Sequence, residues 1–464
     1  MRLMTAAAIA LSAAFLTTSK AHASDPKPPA RPHILVILAD DLGWKDVGYH
    51  GGEIRTPVLD RLAAAGVRLE QFYVQPVCTP TRASLMTGRY PIRYGLQVGV
   101  IRPWSQYGLS LEERMLPQAL KGAGYRTAIT GKWHLGCYEK PYRPLQRGFD
   151  WQYGMYGGAI DYFTHERDGG LDWHRNEKAL REEGYSTNLI AREAVRLIEE
   201  HDAKQPLFLY LAFNSPHAPL QAPPEYLDRY RAITDRKRQT YAAMTTCMDD
   251  AIGRVLEALE KRGMRENTLI LFASDNGGPL PLGANNGPLR AGKGTVYEGG
   301  VRVPAFAVWP GRIRPGTVVN EMLHIVDWHP TLLKLAGASL DSPLPLDGRD
   351  AWPTMAEGKP SPRTEILHNV TPDGGAIRCG DWKLVVNVPR AGRGAGESPA
   401  PSIELFNIAR DPYEKTNLAE ENPEKVKELR SRLDAYAKAA VPPKGRGGPM
   451  PRDFKVPKVW GEDE

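Results

Sequence analysis

Residues 33–43 read HILVILADDLG: a continuous apolar run over 33–39, then Asp40, Asp41, Leu42 and Gly43. A strand with one wet face alternates apolar and polar residues. An unbroken apolar run belongs to a strand covered on both faces, as in a parallel sheet packed between helices. Neighbouring side chains on a strand point to opposite faces. Asp40 and Asp41 therefore converge only if the strand stops there and the chain turns, which Gly43 and its loop allow.

The same grammar repeats along the chain. Apolar stretches at 67–74, 125–130, 206–212, 268–273 and 303–309 read as strands. Helices are expected from Thr56-Pro57 to Gly66, after Cys78, after a Ser110-x-x-Glu113 capping box, and over 186–202, 238–262 and 327–337. Short polar motifs stand at the strand ends: Gly131-Lys132-Trp133-His134-Leu135-Gly136, Asn214-Ser215-Pro216-His217-Ala218-Pro219 and Ser274-Asp275-Asn276-Gly277-Gly278. This order predicts an α/β fold with a large mixed, mostly parallel sheet flanked by helices. Sites in such sheets lie outside the carboxyl ends of the strands. The Gly/Pro-rich stretch 277–302, with Lys293, reads as a functional loop.

From about 345 the texture changes. Short stretches at 364–370, 375–379, 382–388 and 403–407 predict a smaller C-terminal antiparallel sheet, with the helix 423–438 packed on it. The expected organisation is a leader (1–23), a catalytic domain (24–344), an α+β subdomain (345–440) containing a loop at 389–401, and a flexible tail (441–464).

At 464 residues, 42% hydrophobic and 25% charged, the chain is ordinary for a soluble globular protein. The net charge of +6 drops to +4 once Arg2 and Lys20 leave with the leader, and no Lys/Arg block marks a nucleic-acid binder. Arg2, the apolar 4–17 and Ala21-His22-Ala23 form an export signal, too short to span a bilayer, so the protein is expected in the periplasm or medium with no membrane span. Besides Cys78, the cysteines Cys137, Cys247 and Cys379 allow at most one bridge.

Cys78-Thr79-Pro80-Thr81-Arg82 opens a helix, with Thr79 expected as N-cap and Pro80 at the first helical position. A thiol there, with a guanidinium one turn on, reads as reactive, or else as a buried structural cysteine. Asp40, Asp41, Asp275 and Asn276 offer only hard oxygen ligands, which suits Ca²⁺ or Mg²⁺ and not zinc. Taken pairwise they are also ordinary turn residues. Arg82, Lys132, His134, His217 and Lys293 add a positive lining suited to an oxyanion ester such as a sulfate or phosphate. Neither a P-loop nor a G-x-S-x-G elbow is present.

Cys78-Thr79-Pro80-Thr81-Arg82 followed by Leu85-Met86-Thr87-Gly88-Arg89, and Lys132 to Gly136, resemble the two signatures of the type I sulfatases, a branch of the alkaline phosphatase superfamily. The stretches GWKDVGYHGGEIRTPVLDRLA and ITGKWHLG look most like the arylsulfatase B (N-acetylgalactosamine-4-sulfatase) subgroup. The resemblance implies an alkaline-phosphatase-like fold and hydrolysis of sulfate esters of carbohydrates or aryl alcohols. It implies that a formylglycine-generating enzyme converts Cys78 to Cα-formylglycine on the unfolded chain. It also implies one Ca²⁺ held by Asp40, Asp41, Asp275, Asn276 and an oxygen on residue 78. Arg82 and Lys132 would hold the aldehyde hydrate, His217 and Lys293 would bind sulfate and assist the leaving alcohol, and His134 would take a proton. A phosphonate monoester or phosphodiester hydrolase on the same site, and a non-catalytic binder of sulfated glycans, are the alternatives. Asp161 to His165, Asp172, Trp173, His368, Arg378 and Trp382 are candidates for a sugar subsite.

Overall fold

The computed structural model describes residues 31–371, 374–387, 402–445 and 448–462. The leader 1–23 and the loop 389–401 lie outside the described residues. The first half of the chain gives β1 (His33–Ala39), α1 (Pro57–Ala65), β2 (Val67–Tyr73), α2 (Cys78–Thr87), α3 (Leu116–Gly122), β3 (Arg126–Gly131) and β4 (Trp151–Gly154). Four two-residue strands follow: β5 (Glu166–Arg167), β6 (Gly170–Leu171), β7 (His174–Arg175) and β8 (Lys178–Ala179). Next come α4 (Ser186–Glu199), β9 (Leu207–Ala212), α5 (Pro224–Leu227), α6 (Arg236–Lys261), β10 (Thr268–Ser274), α7 (Glu298–Val301), β11 (Ala305–Val308) and β12 (Thr317–His324). The chain continues with α8 (Trp328–Ala336), α9 (Trp352–Glu357), β13 (Glu365–Thr371), β14 (Gly374–Cys379), β15 (Trp382–Asn387), β16 (Ser402–Asn407) and α10 (Pro423–Lys438).

Ten strands form one sheet in the order β12-β2-β11-β10-β1-β9-β3-β4-β7-β8. β1 lies near its middle, parallel to both β10 and β9, with Ala39 opposite Ser274 and Leu38 opposite Ala212. Its unbroken apolar run serves two cores. Ile34, Val36 and Leu38 pack on the side of α2, α3 and α8, while Leu35, Ile37 and Ala39 pack on the side of α1, α4 and α6. Truncating one of these leucines to alanine costs about 2–5 kcal/mol, because so dense a core cannot collapse around the hole.

The sheet is mixed because β11 runs antiparallel to β10 and β2, and β7 runs antiparallel to β4 and β8. β12 carries no apolar run: half its residues face solvent, and a register shift falls between Val319 and Met322. An edge strand of that kind gives no clear periodic signal.

Two local readings change. α2 starts at Cys78 itself after Val77, so Pro80 is its third residue, and Thr79 Oγ1 donates to the His134 carbonyl instead of capping. α3 starts at Leu116, where Gln118 Oε1 accepts from Met115 N; Glu113 instead pairs with buried Arg89 at 2.9 Å. In both places a tertiary partner outcompetes the local cap.

The small sheet β13-β14-β15-β16 is antiparallel throughout. Leu429 and Leu433 of α10 pack into its core with Leu367, Ile377, Leu384 and Leu405. From Arg31 onward the described residues form one compact unit. The segment expected as a loose tail is pinned instead: Val441 N donates to Ile92 O, Lys444 N to Gly95 O, and Trp460 N to Leu171 O. Trp460 is buried, and Val459 forms a bridge with Leu171. Among the described residues no helix is long and apolar enough to cross a membrane.

Candidate active site

Parallel strands deliver their carboxyl ends to one side, and the polar motifs meet there. Asp41 adopts φ 71°, so the turn occurs at Asp41 itself, before Gly43. Aspartate tolerates this left-handed geometry better than most residues. The turn is clamped from α6: Tyr241 OH donates to Asp41 O at 2.8 Å and accepts from Gly43 N at 3.1 Å. Beside it, Asp275 N donates to Ala39 O, and Ser274 Oγ accepts from Leu42 N. The result places ligand oxygens of Asp40, Asp41 and Asp275 within 4.8 Å of one another, all buried.

Three cations close on these carboxylates. Lys132 Nζ lies 2.6 Å from Asp40 Oδ2, Arg82 Nη2 2.8 Å from Asp275 Oδ2, and Lys293 Nζ 2.6 Å from Asp41 Oδ1. Asn276 Nδ2 donates to Asp41 Oδ1 at 2.7 Å. Two oxygens in this packed set, Asp40 Oδ1 and Asn276 Oδ1, are buried with no hydrogen-bond partner. Such orphans are costly. Set among three carboxylates, they fit a divalent cation with oxygen ligands.

Electrostatics divides the pair. Burial, reinforced by Asp275, raises Asp40 to about 8 against the pull of Lys132 and Arg82. Burial works the same way on Asp41, but Lys293, His217 and Asn276 outweigh it and hold Asp41 at about 2. Lys293 is penalised by burial yet raised by Asp41, so it stays charged.

Cys78 Sγ belongs to the same site, within 4.8 Å of ligand atoms of Asp40 and His217. Its thiol is raised above its ordinary value by burial, which Lys132 and Lys293 do not offset. Arg82 does not rescue it, because that guanidinium is spent on Asp275, the Lys132 carbonyl and Tyr210 OH. Burial thus opposes the thiolate where the helix end favours it. All four cysteines are free.

A cavity of about 340 Å³ opens over Cys78, lined also by Ile101, Arg102, His134, Gly158, His217 and Lys293. His134 sits at φ 59°, and its Nε2–H donates to Ile101 O at 3.1 Å, because a carbonyl can only accept. Its Nδ1 is consequently a bare lone pair with no partner. Burial, with Lys132, Arg82 and His217 adding, keeps this ring far below its usual pKa and so neutral. His217 Nδ1 donates to Ala218 O at 2.6 Å and Nε2 lies 3.7 Å from Asp41 Oδ2; burial lowers this ring to about 3.

Of the other candidates Phe163 is exposed, while several turn inward. Tyr162 OH donates to the carbonyls of Asn214 and His217, so it braces the His217 turn. Asp172 accepts from Tyr156 N and Gly157 N, and Trp173 Nε1 donates to Glu182. Arg378 is locked onto Tyr73, His368 Nδ1 meets Val74 O, and Trp382 packs in the small-sheet core. Sequence reading missed Asn286, whose side chain bonds Gly278 N and O and Ala291 O and so shapes the Lys293 loop. It also missed Tyr241 and Arg102.

The family model described as Sulfatase matches residues 32–338, and one described as N-sulphoglucosamine sulphohydrolase, C-terminal, matches 291–439. The chain belongs to the sulfatase family, type I, of the alkaline phosphatase-like superfamily, and is a sulfuric ester hydrolase. Among its relatives, Arylsulfatase J of Mus musculus is 42% identical over 89% of this chain and 77% of its own length. Arylsulfatase A of Homo sapiens is 37% identical over 72% and 70%. The solved structure of Ps i-CgsB in complex with k-i-k-neocarrahexaose superposes with a TM-score of 0.81 at 34% identity, covering 89% of this chain and 94% of that one.

Proposed function

We propose that this sulfatase is exported, carries Cα-formylglycine at position 78, binds Ca²⁺ and hydrolyses sulfate esters of carbohydrates. The observation that carries the reading is a buried Cys78 set between a cluster of three buried carboxylates and a cavity lined by His134, His217 and Lys293. A hydrated aldehyde at residue 78 would supply two geminal hydroxyls, one to attack sulfur as the alcohol leaves and the other to give up its proton so that sulfate is expelled from the first oxygen and the aldehyde returns. Asp40, Asp41, Asp275 and Asn276 would hold the cation, which relieves their mutual repulsion and engages the bare Asp40 Oδ1 and Asn276 Oδ1.

The chain's own groups do the rest. Lys293, held charged by Asp41, places an ammonium at the cavity wall to receive a sulfate oxygen. Lys132 and Arg82, tied to Asp40 and Asp275, keep the floor of the site rigid and positive. His134, neutral with Nδ1 bare, takes up a proton at that atom. Burial keeps His217 neutral, and an anionic ester beside Nε2 would raise its proton affinity toward that needed to assist a leaving alcohol. Relatives named N-acetylgalactosamine-6-sulfatase, and a neocarrahexaose in a similar structure, support a sulfated carbohydrate substrate. The Arg2 to Ala23 leader supports export.

Mass spectrometry of the peptide containing Cys78, from protein co-produced with a formylglycine-generating enzyme, tests the first step. An aldehyde at residue 78 together with turnover of nitrophenyl sulfate is expected, and active protein with an intact thiol overturns it. Chelation should abolish that turnover, with Ca²⁺ restoring it better than Mg²⁺.

A further inference from the structure

The cavity over Cys78 shares a wall with a larger space. Pro103 lines both that cavity and a cleft of about 700 Å³ beyond it. One side of the cleft is Trp104, Gln106 and Tyr138, and the other is the C-terminal segment, with Asp453, Phe454 and Lys455. This segment is anchored from below. Phe454 stacks on buried Trp460 at 5.9 Å between ring centroids, and Trp460 Nε1 donates to Arg167 O at 2.7 Å. Tyr138 leaves 43% of its surface exposed, and its hydroxyl accepts from Gln106 Nε2 at 3.4 Å.

Exposed ring faces next to isolated amide, carboxylate and ammonium groups suit a sugar, whose C–H face packs on an aromatic ring while its hydroxyls reach polar ends. The junction of cavity and cleft carries Arg102. Its Nε is buried without a partner, and its guanidinium pairs with no carboxylate among the described residues. An uncompensated cation there favours an anionic ligand.

We propose that this cleft binds the sugar residues adjoining the one that carries the scissile sulfate, with Arg102 meeting an anionic substituent at the junction. The enzyme then recognises a sulfated oligosaccharide and not its terminal residue alone. This rests on the sulfated-carbohydrate reading above. The segment 451–462 becomes a wall of the substrate site.

The test is calorimetric titration of full-length, Ca²⁺-loaded Cys78→Ala protein with mono-, di- and tetrasaccharides from chondroitin sulfate and carrageenan. In at least one series the tetrasaccharide should bind roughly tenfold or more tightly than the monosaccharide, about 1.4 kcal/mol. Adding Tyr138→Ala and Phe454→Ala should erase that length preference, with an unchanged thermal unfolding midpoint as the folding control. Arg102→Gln should weaken every anionic ligand. Equal affinity at all lengths in every series, or a preference that survives the double substitution, overturns the proposal. Turnover of nitrophenyl sulfate by the wild type is read separately: its absence would sink the activity reading while the binding comparison still decides this one.

Discussion

Of two charge clusters buried among the described residues, one adjoins Cys78 and its cavity and the other does not. At the carboxyl ends of β1, β3 and β10, Asp40, Asp41 and Asp275 face Arg82, Lys132 and Lys293. Between the large and small sheets, Lys383 Nζ lies 2.8 Å from an oxygen of both Glu298 and Glu414. There Tyr73 OH donates to Glu298, and Glu298 N to Glu414. The second cluster is a clasp, with each charge facing one of the opposite sign. Glu414 Oε1, which has no hydrogen-bond partner, still meets the Lys383 ammonium at 2.8 Å, whereas Asp40 Oδ1 and Asn276 Oδ1 in the first cluster have no hydrogen-bond donor among the described residues. Burial of charge alone therefore does not mark a site. Surplus acceptors beside an accessible cavity do.

Cys78→Ala should separate the clusters most completely. All turnover of nitrophenyl sulfate is lost, while circular dichroism and the unfolding midpoint stay near wild type. Lys383→Met tests the clasp. It strands two buried carboxylates, so denaturant titration should show a loss of about 3–5 kcal/mol, with kcat per folded molecule preserved. Lys293→Ala is its mirror image: steady-state kinetics should show kcat down about 10²–10³-fold, the usual cost of removing one preorganised charge from an oxyanion site, in protein that remains folded. Should Lys293→Ala instead unfold the protein and leave kcat intact, the two clusters are the same kind of object and the distinction falls. Gly158→Ala gives the smallest effect. A Cβ there would stand 2.4 Å from His134 Cε1, so the ring must shift, and kcat should fall about tenfold to 10²-fold with little change in KM.

Much of the large sheet could be read from residues, because β1, β9 and β10 are buried on both faces and so carry unbroken apolar runs. Their ends must then gather Asp40, Asp275 and His217 on one side. What stayed hidden depends on neighbours far along the chain. Tyr241 looks like one more core aromatic of α6 until its hydroxyl is found on Asp41 O. Arg102 and Asn286 sit in loops with no period to betray them. The tail after Val441 is rich in Pro, Gly and Lys, which reads as loose; its order comes from Val459 pairing with Leu171 and from Trp460 filling a pocket. At Cys78 the helix start is visible in sequence, while the depth at which the side chain is buried, which decides between an exposed and a buried cysteine, is not.

Helix α2 is buried from Cys78 through Thr87, under α3, α8 and residues 325–327. Arg82 acquires its carboxylate partner only when Asp275, 193 residues later, has been made. At a synthesis rate of roughly 5–20 residues per second, that delay lasts about 10–40 s. On the formylglycine reading proposed above, residue 78 is oxidised before it is enclosed, and chain order is a timer. The strand β10 that completes the cation site is also the piece whose arrival begins to shut the door on residue 78.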